Sequence, residues 1–314
     1  MRLRKVLAVM VVAVMMLTAH LAWAGEGVGV LWAGKSGMAK RVVKGFMEGM
    51  KEKAPDIDIE YNAELQDMDA AAAVYDKWQD EKAAIVFLRS TGARHMGENP
   101  PKVPGFVGGC SNPAELGAVS DFQKPDKNIT GVTYYLPAEL QIQMLQKVFP
   151  DMKSVGLMLE KGHPAAAVDR KETQAACEAA GIEYFEAICA DEKELLAGAK
   201  DLSQKADVLI VGNQALIIDN AARAAKFAGG KPLASYAEKP VATGAAVCGL
   251  VPDDEKLGGM LADSVVAVLE EGKSVSEVPV KTDPEPRLVV SDLAARKAGV
   301  EIPQELLEKA EVVR

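Results

Sequence analysis

Short, nearly unbroken apolar runs alternate along this chain with longer stretches in which apolar residues return every three or four positions. Buried parallel strands produce the first pattern and one-sided helices the second. Residues 28–33 (VGVLWA) are the first such run. From about Ser36, the residues Ala39, Val42, Val43, Phe46, Met47 and Met50 share one helical face, and Ala54-Pro55-Asp56 stops the helix. Ile57 to Tyr61 reads as the next strand, about Asp69–Gln79 as a helix, and Ala84–Leu88 as a third strand. A short crossover through Gly92–Met96 and a loop over 99–104 lead to the strand Gly105–Gly108.

The second half follows the same plan. Ser154–Leu159 is a strand, 165–180 an Ala-rich helix closed by Gly181, and Ile182–Ile188 a strand. About Glu192–Gln204 reads as a helix, Asp207–Val211 as a strand, about Ala215–Ala228 as a helix and Pro232–Tyr236 as a strand. The first and third strands of the two halves are spaced alike: Val30 to Val86 is 56 residues and Gly156 to Ile210 is 54. Strand–helix alternation repeated in this way predicts an α/β fold of two Rossmann-like lobes with parallel sheets. The expected lobes are 25–132 with 250–280, and 133–249 with 281–314. Hinge segments are expected at Asn128–Tyr135, Thr243–Pro252 and around Lys281–Ser291, with a long helix at about Asp253–Glu271 returning to the first lobe. Ligands of open α/β sheets sit beyond the carboxyl ends of the strands, and two facing lobes leave a cleft there that suits hinge closure.

The N-terminus adds a destination. Arg2, Arg4 and Lys5 precede the apolar run Val6–Leu17, and Ala22-Trp23-Ala24 supplies a small-x-small site, so a secretory signal peptide cleaved after Ala24 is expected. The competing reading, a membrane anchor, needs about 20 apolar residues, which this run lacks. No cysteine follows the cleavage site to carry a lipid. At 314 residues the chain has room for about two domains. Its net charge is −9, and loss of the three N-terminal cations takes it to −12; an acidic chain with no dense Lys/Arg block argues against nucleic acid as a partner. Cys110, Cys177, Cys189 and Cys248 are spaced by 67, 12 and 59 residues, which does not suggest a zinc site. Cys177 and Cys189 fall too far apart along a helix and strand to pair, whereas Cys110 and Cys248 either approach each other or, with the rest, stay as buried thiols.

Candidate chemistry concentrates at strand ends. Gly29 to Ser36 formally matches the G-x4-G-K-S phosphate loop, but its intervening residues are Val, Leu, Trp and Ala and its first glycine lies inside a strand, so no bare backbone nest forms. The turn still opens a helix, so the backbone N–H groups there, with Lys35 and Ser36, favour a carboxylate or another anion. His163 stands at the equivalent place in the second half and either binds a ligand or caps its helix. The other strand ends supply Arg89, Ser90, Thr91, Cys110, Ser111, Asn112, Asn213, Gln214, Tyr236 and Glu238. Trp32, Tyr134, Tyr135 and Tyr236 either build a flat wall or pack in the core. Arg89 is expected to take a ligand carboxylate, or else a surface acid, and Glu238 a ligand ammonium, or else solvent. There is no nucleophile–base pair, metal cluster or dinucleotide loop, so neither catalysis, a cofactor nor a metal is expected. Asn128-Ile129-Thr130 matches a glycosylation sequon and reads as part of a hinge.

Four stretches, in order, resemble one family: Cys110-Ser-Asn-Pro-Ala-Glu-Leu-Gly117, Asn128-Ile-Thr-Gly-Val-Thr with Leu136-Pro-Ala-Glu139, Gly244-Ala-Ala with Lys256-Leu-Gly258, and the ending from Leu288-Val-Val through Gly299-Val-Glu-Ile-Pro303-Gln-Glu-Leu-Leu307. They are similar to the ABC-transporter substrate-binding proteins of the tryptophan/tyrosine-uptake type. The resemblance implies a type I periplasmic-binding-protein fold, no enzyme activity, and capture in the interlobe cleft of an amino acid, often aromatic, or a related carboxylate. The partners it implies are an ABC permease and its cytoplasmic ATPase, with the protein a periplasmic monomer. The alternative from a different class is an exported ligand-sensing component of a signalling receptor.

Overall fold

The computed structural model describes residues 25–314; the expected signal peptide, residues 1–24, lies outside the described residues. The first half begins with β1 (Val28–Ala33), α1 (Gly37–Lys53), β2 (Ile59–Leu65) and α2 (Met68–Glu81). It continues with β3 (Ala84–Leu88), α3 (Arg89–Glu98), β4 (Gly105–Gly108) and β5 (Ile129–Thr133). The second half runs α4 (Ala138–Val148), β6 (Ser154–Glu160), α5 (Pro164–Ala180), β7 (Glu183–Cys189), α6 (Glu192–Leu202) and β8 (Val208–Val211). Then come α7 (Ala215–Phe227), β9 (Leu233–Ser235), α8 (Glu238–Ala242), β10 (Cys248–Val251), α9 (Asp254–Leu269) and β11 (Lys281–Thr282). β12 (Arg287–Ser291), α10 (Asp292–Ala298), α11 (Gln304–Leu307) and β13 (Glu311–Val313) close the chain.

Two sheets hold these strands. The first has the order β11-β5-β4-β3-β1-β2 and is parallel throughout. The second has the order β13-β12-β10-β9-β8-β6-β7; β6 to β10 run parallel and β12 is antiparallel to β10. Strands β1 to β5 and β6 to β10 therefore occupy equivalent places, and the repeat in the sequence is a repeat of topology. In each sheet the first strand lies between the second and the third. That is the switch point where flanking loops diverge and leave a crevice.

Each sheet has one core on either face. The period of two along a strand sends Val28, Val30 and Trp32 of β1 toward α1 and α9, and Leu31 and Ala33 toward α2 and α3. Burying side chains such as Trp78, Tyr75 and Phe87 is worth about 1.5–3 kcal/mol each. Helices α1 and α9 touch at backbone distance: a Cβ on Gly45 would lie 1.9 Å from the Glu255 carbonyl oxygen, and one on Gly258 would lie 2.1 Å from that of Val42. This contact docks a helix from late in the chain onto the first sheet.

Some elements differ from the expectation. β2 starts at Ile59, not Ile57, because as a half-exposed edge strand it lacks an unbroken apolar run. Residues 89–98 form a full helix rather than a short crossover. Most of Asn128–Tyr135 is strand β5, and Thr243–Pro252 contains β10, so backbone hydrogen bonding takes up what composition marked as hinge. The connections between the sheets shorten to the segments after Thr133, Val251 and Thr282, with β11 inside the first sheet, whereas the sequence pattern places Lys281 in the second lobe. Asp283 ties two of them together: it accepts from the Asp253 N–H and from Lys256 Nζ, both at 2.8 Å, and from the Glu285 N–H at 3.0 Å.

Candidate ligand-binding site

The carboxyl ends of the two sheets face one another across a cavity of about 330 Å³. Ligand pockets run from about 300 to 1,000 Å³, so this one suits a molecule of amino-acid size. A smaller chamber of about 30 Å³ adjoins it, and Tyr134, Asn213, Tyr236 and Pro252 belong to both walls.

Among the helices that begin at the main cavity are α1, α5 and α7. Each presents N–H groups and the positive end of its dipole. Ser36 caps α1, its hydroxyl accepting from the Ala39 N–H at 3.1 Å. His163 caps α5, its Nδ1 accepting from the Ala165 N–H at 3.2 Å. Burial, then the nearby charge of Arg89, pushes the His163 pKa down to about 4, so the ring is neutral at pH 7. With Nδ1 accepting, its proton sits on Nε2, which is a donor.

Arg89 opens α3 with a left-handed backbone, φ +72°, uncommon outside glycine and of a kind that gathers at binding sites. Its guanidinium donates to the Ala33 carbonyl and lies beside Gly34, where a Cβ would come within 3.0 Å of Nη1. Burial lowers the Arg89 pKa without discharging so strong a base. Among the described residues Arg89 forms no ion pair. The other charges of the wall are matched: Lys40 with Glu64 at 2.9 Å, Arg41 with Asp254 at 2.8 Å and Lys239 with Asp219 at 2.7 Å. The cavity thus keeps an excess of positive charge at Arg89 and Lys35.

The smaller chamber is different. Ser90 Oγ accepts from the Ser111 N–H at 3.0 Å and lies 3.4 Å from Tyr134 Oη, while Tyr236 Oη is 2.8 Å from Thr173 Oγ1. Thr133 Oγ1 donates to the Cys110 carbonyl at 2.8 Å and accepts from the Tyr135 N–H at 2.9 Å, which sets the turn carrying both tyrosines. Two carboxyls of α5, Asp169 and Glu172, enter the same wall. Asp169 Oδ2 accepts from Gln214 Nε2 at 2.6 Å and from the Asn213 N–H at 3.3 Å. Burial pushes the Asp169 pKa up to about 7. Glu172, also raised by burial, accepts from Asn112 Nδ2 at 3.2 Å and so bridges the two lobes. Beside it Lys171 and Glu115 make a second bridge at 2.7 Å.

Of the residues expected from sequence, Lys35, Ser36, Arg89, Ser90, Ser111, Tyr134, Tyr135, His163, Asn213, Tyr236 and Glu238 come together along the two chambers. Five do not. Trp32 points to the α1 side of its strand and stacks on Tyr61 at 6.4 Å, a core residue by the alternation of β1. Cys110 is fully buried on the other face of the first sheet. The Thr91 hydroxyl is buried and without a partner among the described residues. Asn112 is spent on Glu172, and on the N–H groups of Ala114 and Glu115. Gln214 is buried and holds Asp169 in place. Glu238 does line the cavity, but it pairs with Arg287 at 3.3 Å. All four cysteines are buried free thiols; Cys110 and Cys248 lie in separate cores, and burial pushes both pKa values up to about 12. Gly29 makes room for the Trp78 ring, which its Cβ would approach to 2.4 Å, and not for a phosphate.

Sequence reasoning missed Asp169 and Glu172. A signal was present: Ala165, Val168, Thr173, Ala176 and Cys177 mark the buried face of α5, and Asp169 falls on that face at i+4 from Ala165. An acid at such a position needs a reason.

Residues 30–314 match the family model described as ABC transporter substrate binding protein. The chain is 25% identical over 257 residues to the tyrosine-binding protein of Clostridioides difficile, covering 79% of this chain and 74% of that one. The structure of the ABC domain from Streptococcus pneumoniae in complex with L-Trp shares the fold at a TM-score of 0.81, with 21% identity over 92% of this chain and 100% of that one. A conserved domain protein from Vibrio cholerae gives a TM-score of 0.82 at 20% identity, over 92% and 99% of the two chains. No helix among the described residues is long and apolar enough to cross a membrane. Proteins of this kind bind small molecules outside the cytoplasmic membrane for an ABC permease; they are not enzymes. With the match spanning nearly all of its described residues, the chain belongs to the ABC transporter substrate binding protein family.

Proposed function

We propose that this protein is the periplasmic binding component of an ABC importer for an amino acid, aromatic in side chain, or a closely related carboxylate. The observation that carries the reading is the unpaired guanidinium of Arg89 in a cavity onto which the N-termini of α1, α5 and α7 converge. An anion of carboxylate size is what such a concentration of donors stabilises. Ser36, His163 Nε2 and Asn213 lie within the same wall to complete its coordination. Tyr134 and Tyr236, shared with the adjoining chamber, give the main cavity aromatic surface suited to a flat side chain. The relatives named for tyrosine and bound to L-Trp support the aromatic class. The protein acts as a monomer that closes about the segments after Thr133, Val251 and Thr282 and carries its ligand to the permease and its ATPase. The signal peptide, cleaved after Ala24, delivers it to the periplasm.

A thermal-shift screen of the purified 25–314 chain against the twenty amino acids and their deaminated acids tests this. Stabilisation by tyrosine, tryptophan or phenylalanine is expected, and stabilisation by none of the panel overturns the reading.

A further inference from the structure

The carboxylates around the two chambers fall into two sets. Glu64, Asp219, Glu238 and Asp254 each have a cation within 3.3 Å. Asp169 and Glu172 have none among the described residues. Glu172 is occupied by Asn112 from the opposite lobe, with the Tyr135 hydroxyl beside it. Asp169 is half satisfied: both of its donors, Gln214 Nε2 and the Asn213 N–H, go to Oδ2, and Oδ1 takes no hydrogen bond among the described residues. Asp169 lines the chamber of about 30 Å³, which has room for a small polar group. Such a space admits a primary ammonium. It opens beside the cavity that holds Arg89, Tyr134 and Asn213.

Resting on the proposed function, we infer that Asp169 is the specificity-determining residue for the ligand's amine: Oδ1 accepts the ammonium of an amino acid whose carboxylate lies on Arg89. Glu238, the acid expected to serve from sequence, is neutralised by Arg287. Gln214 is a positioning residue that holds the carboxyl through Oδ2 and leaves Oδ1 to the ligand.

A proton is linked to this contact. Burial raises the Asp169 pKa to about 7, and an arriving ammonium favours the ionised form, so a proton held by Asp169 passes to solvent on binding. Affinity for an amino acid then falls by up to tenfold for each pH unit below about 7. The groups facing Asp169 are Glu172 on its own helix, Tyr134 and Tyr135 after β5, Tyr236 after β9, and the neutral Asn213 and Gln214 after β8. The tyrosines are raised by burial and stay neutral in this window, while His163, in the adjoining cavity with Arg89, titrates near 4.

Calorimetric titration from pH 5.5 to 8 tests this on wild type, Asp169→Asn and Glu172→Gln. The ligands are L-tyrosine, L-tryptophan, 3-(4-hydroxyphenyl)propionate and indole-3-propionate. The expected result is that wild type binds the amino acids at least tenfold more tightly than the deaminated acids at pH 8, an advantage that shrinks toward pH 5.5. Asp169→Asn loses the advantage and its pH dependence; Glu172→Gln, which removes the other carboxyl of the chamber, retains the pH dependence whatever it does to affinity. Equal wild-type affinity for the two classes, or a pH profile that disappears with Glu172 instead of Asp169, overturns the inference and leaves the carboxylate-binding function standing. Binding of neither class overturns both. The wild-type comparison alone decides the matter if a variant does not fold.

Discussion

The Arg89 guanidinium is anchored on the backbone carbonyl of Ala33, so the cation at the end of β3 is fixed by the end of the neighbouring β1. A charge held this way is oriented before any ligand arrives, and its side-chain entropy is already spent. Replacing Arg89 with Ala is expected to cost a carboxylate ligand about 1–3 kcal/mol, a loss of roughly 5- to 150-fold in affinity. Arg89→Lys keeps the charge but loses the fork, and should recover only part of it. Titration calorimetry of the two variants checks both; unchanged affinity in Arg89→Ala removes this residue from the site.

Asp169 makes the ligand-free protein sensitive to alkali. Its folded pKa, about 7, lies above the ordinary carboxyl value. The folded state therefore holds this proton more tightly than the unfolded state. Its contribution is complete below about pH 4 and is lost as pH rises to about 7. Asp169→Asn removes the ionisation, so its melting temperature should exceed that of wild type at pH 8, with the gap closing by pH 5. A wild-type advantage at pH 8 would contradict this.

Asp283 has the opposite sign. Burial opposes its charge, but Lys256 and the N–H groups of Asp253 and Glu285 outweigh burial and hold its pKa below the usual carboxyl range. Stability from this group is present above the unfolded value and fades as pH falls through the lowered one. Asp283→Ala leaves two N–H groups between the lobes unpaired, at about 1–3 kcal/mol. A lower melting temperature at pH 7, with the difference shrinking toward pH 3, is the expected outcome of a melting series.

The α1–α9 contact has no room for a methyl group. Gly45→Ala drives a Cβ against the Glu255 carbonyl and should cost about 1–3 kcal/mol through overpacking, visible as a fall of several degrees in melting temperature. Gly259→Ala, on the facing helix α9, where a Cβ meets nothing within 4 Å, serves as the control and should melt close to wild type.

Periodicity carried most of the fold because buried strands and one-sided helices leave period-two and period-3.6 marks, and both halves repeated them. It failed at the half-exposed β2 and at β10, which lay inside an apparent hinge. The place of Arg89 and Ser36 in the cavity wall was legible because topology dictates where strand ends converge. Trp32 was misplaced by one step of alternation, since an unbroken apolar strand does not reveal which face looks where. Asp169 escaped because it sits in mid-helix, two turns from any strand end, and reaches the chamber only through the packing of α5 against Tyr134 and Tyr236.

A crystal structure of the protein grown with L-tyrosine or L-tryptophan tests the placement of the ligand most directly. The expected result is one amino acid between the lobes, its carboxylate within hydrogen-bonding distance of Arg89 and its ammonium on Asp169 Oδ1. An amino acid bound elsewhere, or seated with its carboxylate turned away from Arg89, would contradict it.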